Sequence, residues 1–249
     1  AECAAHTLGK HNYFSGNDFD RMSDFQLAID HKDAKAIMCA RGGYGCVRIV
    51  DKLNWSNFEK SPKWLIGFSD ITVLHHRAQR LSIMSIHATM PLNFQMNSKE
   101  ALETFRSALT GESFSIEAPV FSMNKTGIAR GPLVGGNLSI IYSLLGTTDA
   151  YDFKGSILFI EDLSEQLYHI DRMLFALQKA GVFDEFNKDR NKILNSIPKI
   201  IQQIKNINDD KNNHQSNLFE GQESNRSEIE FLPNQTWSKN ELLAEEFKA

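Results

Sequence analysis

Three features of this sequence have residue types and spacing suited to chemistry, and the first is a serine in a short turn. Ser69 lies in the string GFSD, where an apolar strand-like run ends and a helical pattern begins. A serine at such a junction exposes its hydroxyl, and the backbone N–H groups that follow it can face a developing oxyanion. This arrangement resembles a nucleophile elbow, although Ile71 stands where the usual G-x-S-x-G string has its second glycine. An ordinary helix N-cap serine is the alternative interpretation.

The second feature is the glycine-rich string RGGYG at residues 41–45, which follows another apolar run. Adjacent glycines let a backbone approach a ligand closely and direct its N–H groups inward. A tight turn without function is the alternative. The spacing of Gly42, Gly43 and Gly45 does not match G-x-G-x-x-G, which disfavours a dinucleotide cofactor.

The third feature is Glu161, which ends the apolar string SILFI. An acid at the carboxyl end of a strand lies where α/β folds place their active sites, and it could orient a histidine as a triad carboxylate does. Because Asp162 and Glu165 follow closely, a solvated acidic turn is the alternative. Arg172 could pair with one of these acids in a structural role.

The histidines do not identify a general base. His75 and His76 follow Ser69 so closely in one predicted helix that they could not easily reach back to it. His87 follows a strand-like run, and we expect it to shape a pocket wall. His169 begins a predicted helix, and His214 lies in a polar stretch.

Strand and helix patterns alternate as far as about Asp184. The sequence predicts strands at Lys35–Ala40, Lys63–Phe68 and Ser156–Ile160, and helices over CVRIVDKL, after Ser69 and over HIDRMLFALQKAG. The string GPLVGGNLSIIYSLLGT (131–147) predicts a glycine turn and then a helix. This alternation predicts an α/β fold with a mainly parallel, helix-covered, Rossmann-like sheet.

Composition excludes several classes of protein. The 249 residues are 41% hydrophobic and 23% charged, with a net charge of −4, which is typical of a globular domain and gives no reason to expect binding to nucleic acid or membrane. Three cysteines without metal-ligand spacing favour a reduced, cytosolic setting. After Asp184 the sequence becomes asparagine-rich and polar, which predicts a poorly packed tail.

Taken together, four strings resemble the LD-carboxypeptidases and microcin-immunity peptidases in order and spacing over about residues 12–184. They are ARGGYG, IGFSDIT with HATMP downstream, LVGGNLS and LFIEDLSEQLYHIDRML. The resemblance implies that Ser69 is the nucleophile and Glu161 the triad carboxylate. It also implies that the N–H groups of Asp70 and Gly43 form the oxyanion hole. No metal or other cofactor is implied.

The implied activity is a cytoplasmic serine carboxypeptidase that cleaves an L,D-peptide bond, such as the one to the terminal D-alanine of a murein tetrapeptide during wall recycling. Relatives instead cleave peptidyl-nucleotide antibiotics. The implied partners are therefore small peptides, with neither nucleic acid nor membrane, and a homodimer is left open. A non-catalytic remnant or binding module that retains the pocket is the alternative.

The sequence also departs from that family. Most of the family's first strand and helix is missing before RGGYG, and so is its catalytic histidine, which lies in a GH-type motif beyond the I-D-R-M-L helix. We therefore expect a nucleophile-bearing domain at 1–150, incomplete at its N-terminus, and the start of a second domain at 151–184. The tail at 185–249 more weakly resembles a segment of a bacterial replicative DNA polymerase α subunit. A composite reading frame is the preferred explanation of this tail, and a divergent tail is the alternative.

Overall fold

The computed structural model describes residues 1–118, 128–185 and 227–231. Its helices are α1 (Asp18–Asp30), α2 (Ser56–Lys60), α3 (Thr72–Arg80), α4 (Lys99–Thr110), α5 (Leu138–Ser143) and α6 (Leu167–Lys179). Its strands are β1 (Ala36–Met38), β2 (Trp64–Gly67), β3 (Ile86–His87), β4 (Phe114–Ala118), β5 (Leu133–Asn137), β6 (Ile157–Glu161) and β7 (Ser227–Phe231). Short 3₁₀ helices connect several of these elements.

These residues divide into two compact units. The first contains 1–115, 146–151 and 230–231, and the second contains 116–118, 128–145, 152–185 and 227–229. Strands β4 and β7 pair with each other in a two-stranded sheet. The predicted α/β class with parallel sheets is confirmed.

The first unit is built on a parallel sheet in the order β1-β2-β3, with Ile66 opposite Ile86 in the register. Strand β2 is buried along its whole length, because its string WLIG is apolar throughout. A continuous apolar run of this kind is typical of a parallel strand that is covered on both faces. Trp64 and Ile66 form a core on one face, where Phe105 and Leu109 of α4 pack.

The second unit contains a parallel pair of strands, β5 and β6, followed by α5 and α6 respectively. The prediction of a glycine turn in LVGGN is wrong, because these residues form strand β5. Gly135 has φ +146, and a Cβ atom there would lie 1.8 Å from the carbonyl oxygen of Phe159 on β6. The absence of a Cβ atom at Gly135 therefore permits its pairing with Phe159, and in sequence the two glycines look like a turn.

The helix predicted over CVRIVDKL is also wrong. These residues form two 3₁₀ helices, Cys46–Arg48 and Val50–Lys52. β-Branched residues lose side-chain freedom in an α-helix, and Val47, Ile49 and Val50 are concentrated in this short stretch. The strand and helix predictions around Ser69 and Glu161 are confirmed with slightly different bounds. The predicted tail lies almost entirely outside the described residues.

Candidate active site

Ser69 lies directly beyond the carboxyl end of β2, in a 3₁₀ turn that leads into α3. Its backbone has φ +63, in the left-handed region that non-glycine residues rarely adopt. This conformation costs about 1–2 kcal/mol for an L-residue, so the surrounding fold must hold it in place. Ser69 therefore has the strained strand-to-helix geometry that distinguishes a nucleophile elbow from an ordinary turn.

The helix N-cap interpretation of Ser69 finds no support in the structure. Phe68 occupies the cap position of the 3₁₀ turn and Ile71 that of α3, and neither position has a side-chain cap hydrogen bond. Within the described part of the chain, the half-buried Ser69 hydroxyl has no hydrogen-bond partner. Its oxygen is thus available for other chemistry.

The glycine-rich loop at residues 41–45 lies against this turn. A Cβ atom on Gly42 would lie 3.0 Å from Cβ of Ser69 and 3.2 Å from its Oγ. A larger residue at this position would press on the serine, which explains a glycine there. Gly43, the predicted second oxyanion donor, is an exposed neighbour with φ +127. Its role, like that of the Asp70 N–H group, stays a prediction.

The side chain of Asp70 makes a contact that the sequence did not reveal. It is 4% exposed, and its Oδ2 accepts a hydrogen bond from the Cys46 N–H group at 2.9 Å. Burial raises the pKa of this carboxyl, while the bond from Cys46 lowers it. Asp70 therefore joins the nucleophile turn to the end of the glycine-rich loop.

His75 supports the same turn from behind. Its ring nitrogens lie 2.8 Å from the Gly67 carbonyl oxygen and 2.8 Å from Oγ of Ser85. A carbonyl can only accept, so Nε2 carries the proton and Nδ1 accepts from the serine. Burial lowers the pKa of His75 to about 4. With both nitrogens occupied, His75 is a structural group and not a base.

His76 and His87 are also poor candidates for a base. The ring of His76 is 1% exposed, lies against Tyr151 with ring centroids 3.9 Å apart, and has a pKa lowered by burial to about 3. Burial lowers the pKa of His87 to about 4. A general base works best with a pKa near the working pH, and neither ring has one.

His87 does line a pocket wall, as expected from its position after a strand. The cavity has a volume of about 360 Å³ and begins beside Phe68, the residue before Ser69. Its lining carries no formal charge at neutral pH and consists of Phe68, His87, Ala88, Thr89, Asn93, Met96 and Asn97. This cavity can receive an uncharged group close to the serine.

In the second unit, Glu161 is the last residue of β6 and is half-buried. One of its carboxylate oxygens is inaccessible to solvent. Burial raises the pKa of this carboxyl, and the charge of neighbouring Asp162 raises it further. Asp162 accepts hydrogen bonds from the N–H groups of Ser139 (3.0 Å) and Leu163 (2.8 Å), and from the Asn137 side chain (3.2 Å). The strand end is therefore tied to the start of α5.

His169 and Arg172 lie on α6. His169 Nδ1 contacts Oε2 of Glu165, one helical turn earlier in the chain. The guanidinium of Arg172 lies 5.3 Å from the centre of the Tyr168 ring. Among the described residues Arg172 thus stacks on an aromatic ring, and the acid pairing considered from the sequence is not found. His214 lies outside the described residues.

The described residues contain no cluster of three or more histidine, cysteine or acidic side chains that could hold a metal ion. Within them, no helix has the length and apolar character needed to cross a bilayer. Cys3, Cys39 and Cys46 are free thiols. Burial raises the pKa of Cys39 to about 12, so this thiol is not a ready nucleophile.

Family models match two parts of the chain. Residues 1–88 match an LD-carboxypeptidase N-terminal domain, and residues 130–187 match an LD-carboxypeptidase C-terminal domain. Together the two matches cover more than half of the sequence. Ser69 falls in the first match and Glu161 in the second. None of the matches supports the resemblance of the tail to a DNA polymerase subunit.

Individual relatives agree with these matches. The murein tetrapeptide carboxypeptidase of Pseudomonas aeruginosa is 32% identical over 70% of this chain and 61% of its own length. A muramoyltetrapeptide carboxypeptidase structure from Oxalobacter formigenes gives a TM-score of 0.66 at 29% identity, over 70% of this chain and 60% of that one. The chain spans about 60% of the length of the curated relatives it matches.

The fold is also shared with the microcin C7 self-immunity protein MccF in complex with aspartyl sulfamoyl adenosine. That structure gives a TM-score of 0.62 at 22% identity, over 72% of this chain and 64% of its own. At this identity the likeness concerns the fold alone.

Proposed function

Since this chain belongs to the LD-carboxypeptidase family, we propose that it carries the nucleophile of a serine carboxypeptidase that cleaves an L,D-peptide bond. The proposed substrate is a murein tetrapeptide, from which terminal D-alanine is released in the cytoplasm. The names of the Pseudomonas and Oxalobacter relatives support this substrate class. A peptidyl-nucleotide is the second candidate substrate, because the four strings ARGGYG, IGFSDIT, LVGGNLS and LFIEDLSEQLYHIDRML also resemble the microcin-immunity peptidases.

The observation that carries the proposal is the strained backbone of Ser69, together with its uncommitted hydroxyl. In the proposed reaction, Oγ of Ser69 attacks the carbonyl carbon before D-alanine, and a histidine takes the hydroxyl proton. The N–H groups of Asp70 and Gly43 stabilise the oxyanion. The histidine then protonates the leaving amine of D-alanine, and water hydrolyses the remaining ester.

Glu161 is the proposed carboxylate that orients this histidine. Its position at a strand end supports the role, because α/β folds place catalytic groups there. A buried carboxylate can stabilise an imidazolium that forms beside it. Burial raises the pKa of Glu161, so a cation placed beside it, such as an imidazolium, would stabilise its charged form.

The histidine itself is proposed to come from the family's GH-type motif, which this sequence does not contain. The low pKa values of His75, His76 and His87 support this, because such rings accept a proton poorly at neutral pH. We therefore expect negligible turnover from the chain as given. The same observation favours the second candidate function, a binding module that retains the pocket without turnover.

The test is release of D-alanine from a murein tetrapeptide. The unmodified chain should give no more product than Ser69→Ala. A chain in which a family-type C-terminal segment replaces everything after Asp184 should turn over. There, Ser69→Ala should lower turnover about 10⁴-fold or more, because a triad acts as one unit.

Ser113→Ala provides the matched control, since Ser113 is an exposed serine in the loop after α4. It should leave turnover unchanged. Robust, Ser69-dependent turnover by the unmodified chain would show that one of its own histidines is the base. Tetrapeptide binding without turnover in the chain with the new segment would instead favour the binding module.

A further inference from the structure

One peptide group at the end of the glycine-rich loop is held from both sides by charged side chains. The carbonyl oxygen of Gly45 accepts a hydrogen bond from Nη1 of Arg21 at 2.9 Å. The N–H group of Cys46, in the same peptide plane, donates to Oδ2 of Asp70 at 2.9 Å. A cation from α1 and an anion beside Ser69 therefore grip opposite ends of one peptide dipole.

Both charged groups are held in place themselves. Asp70 is 4% exposed, and burying a carboxylate is costly unless it is hydrogen-bonded. The Arg21 side chain is 13% exposed, contacts Asp18, and lies 5.0 Å from the centre of the Phe14 ring. Hydrogen bonds to charged groups are stronger than neutral ones. The bonds from Arg21 and to Asp70 therefore restrain the Gly45–Cys46 peptide on both sides.

The sequence of the loop fits this arrangement. Gly45 has φ +129, and a Cβ atom there would lie 2.6 Å from Nη1 of Arg21. The guanidinium can reach the carbonyl only because residue 45 has no side chain. At the other end of the loop, Gly42 packs against Ser69. The loop is thus fixed to the nucleophile turn at its last peptide and in contact with it near its start.

We propose that Asp70 and Arg21 are positioning residues that clamp the Gly45–Cys46 peptide and so hold the RGGYG loop in register with Ser69. Asp70 would then act through its side chain as well as through its backbone N–H group. The clamp itself follows from the contacts above, and its purpose, to place oxyanion donors, rests on the proposed function.

Amide hydrogen exchange of the full chain, followed by mass spectrometry over residues 41–46, tests the clamp. Asp70→Asn keeps the shape and removes the charge, and Arg21→Gln removes the cation. Each should speed exchange in this segment at least about tenfold, as expected for loss of a charge-assisted bond. Because both side chains hold one peptide, the double variant should show less than the product of the two single effects.

Asp149→Asn is the matched control. Asp149 is also a buried carboxylate, paired with Arg77 in the same unit. It should lower stability without selectively loosening residues 41–46. Unchanged exchange in Asp70→Asn, or equal loosening in Asp149→Asn, would overturn the clamp.

The rate at which a fluorophosphonate labels Ser69 separates this inference from the proposed function, when it is measured in the chain that carries a family-type segment after Asp184 and so contains the proposed base. Faster amide exchange over residues 41–46 in the variants, together with no labelling of Ser69 when Asp70 and Arg21 are unchanged, would contradict the proposed function but support the clamp. If the wild-type serine is labelled, Asp70→Asn should slow labelling, and Asp70→Glu, which retains the charge, should restore part of the rate. Labelling at the wild-type rate in Asp70→Asn would overturn the positioning role.

Discussion

The two units place their candidate catalytic residues in the same way but hold them differently. Ser69 and Glu161 each lie at the carboxyl end of a parallel strand, and each is followed by an aspartate that accepts a backbone N–H group. At Ser69 the backbone is strained and the hydroxyl is free of capping bonds. At Glu161 the backbone is regular strand, and the side chain is half-buried beside a second acid.

The difference shows what each kind of group needs. A hydroxyl has no charge to stabilise, so its placement depends on a backbone conformation that the fold enforces. A carboxylate depends on its electrostatic surroundings, which set the pKa and hence its charge. Asp70 and Asp162 have the same role in their units, because the carboxylate of each accepts a hydrogen bond from a backbone N–H group of a neighbouring segment.

The largest difference between the units should appear in their response to acid. Burial lowers the pKa of His75 to about 4 and of His76 to about 3, whereas both titrate near 6.5 when unfolded. Below pH 6.5 the unfolded chain takes up protons that the folded unit does not, so stability falls as pH falls. At pH 5 this costs about 2 kcal/mol per histidine, or about 4 kcal/mol for His75 and His76 together. Glu161 has the opposite sign, because a raised carboxyl pKa adds stability at low pH.

Urea unfolding at pH 7 and pH 5 measures this response, with hydrogen exchange reporting each unit. His76→Phe should reduce the acid-induced loss of unfolding free energy by about 2 kcal/mol, because one titrating group is removed. His31→Gln, an exposed histidine at the end of α1, should leave it unchanged. Equal losses in wild type and His76→Phe would show that His76 does not contribute to the acid sensitivity.

A smaller effect should follow from separating the two strands of the second unit. A Cβ atom on Gly135 would lie 1.8 Å from the Phe159 carbonyl oxygen, and the residue has φ +146. Gly135→Ala should therefore lower the free energy of unfolding by about 3 kcal/mol, through overlap and backbone strain. Denaturant unfolding measures the change.

Gly146→Ala is the control that measures the cost of backbone strain without steric overlap. Gly146 has φ +75, with open space where a Cβ atom would stand, so this variant should lose only about 1 kcal/mol. Equal losses at the two positions would mean that β5 and β6 do not pair as closely as described.

The smallest effect concerns the strain at the nucleophile itself. Ser69→Gly should raise the free energy of unfolding by about 1 kcal/mol, because glycine adopts positive φ without penalty. Ser82 has nearly the same φ, +58, and lies outside the nucleophile turn, so Ser82→Gly should show a similar gain in the free energy of unfolding. In the chain with a family-type C-terminal segment, only Ser69→Gly should abolish turnover. A loss of stability in Ser69→Gly would contradict a strained elbow.

Local patterns were sufficient to predict the strand before Ser69, the helix after it, and Glu161 at the end of a strand. Those features depend on apolar runs and their immediate neighbours. The strand LVGGN was missed because its glycines pair with a strand about 24 residues further along the chain. The Asp70 side chain was missed for the same reason, since nothing near GFSD indicates that the carboxylate reaches Cys46. Contacts of this kind are set by the tertiary fold.

The chain path has a consequence for modularity. Residues 146–151 belong to the first unit, although the residues on both sides of them belong to the second. This short return supplies Asp149 to Arg77 and the Tyr151 ring to His76. A gene fragment that ended at residue 115 would leave both side chains buried without their partners. Recombination between members of this family should therefore keep the first unit intact when the crossover falls after Tyr151, and should separate Arg77 and His76 from their partners when it falls between residues 115 and 146.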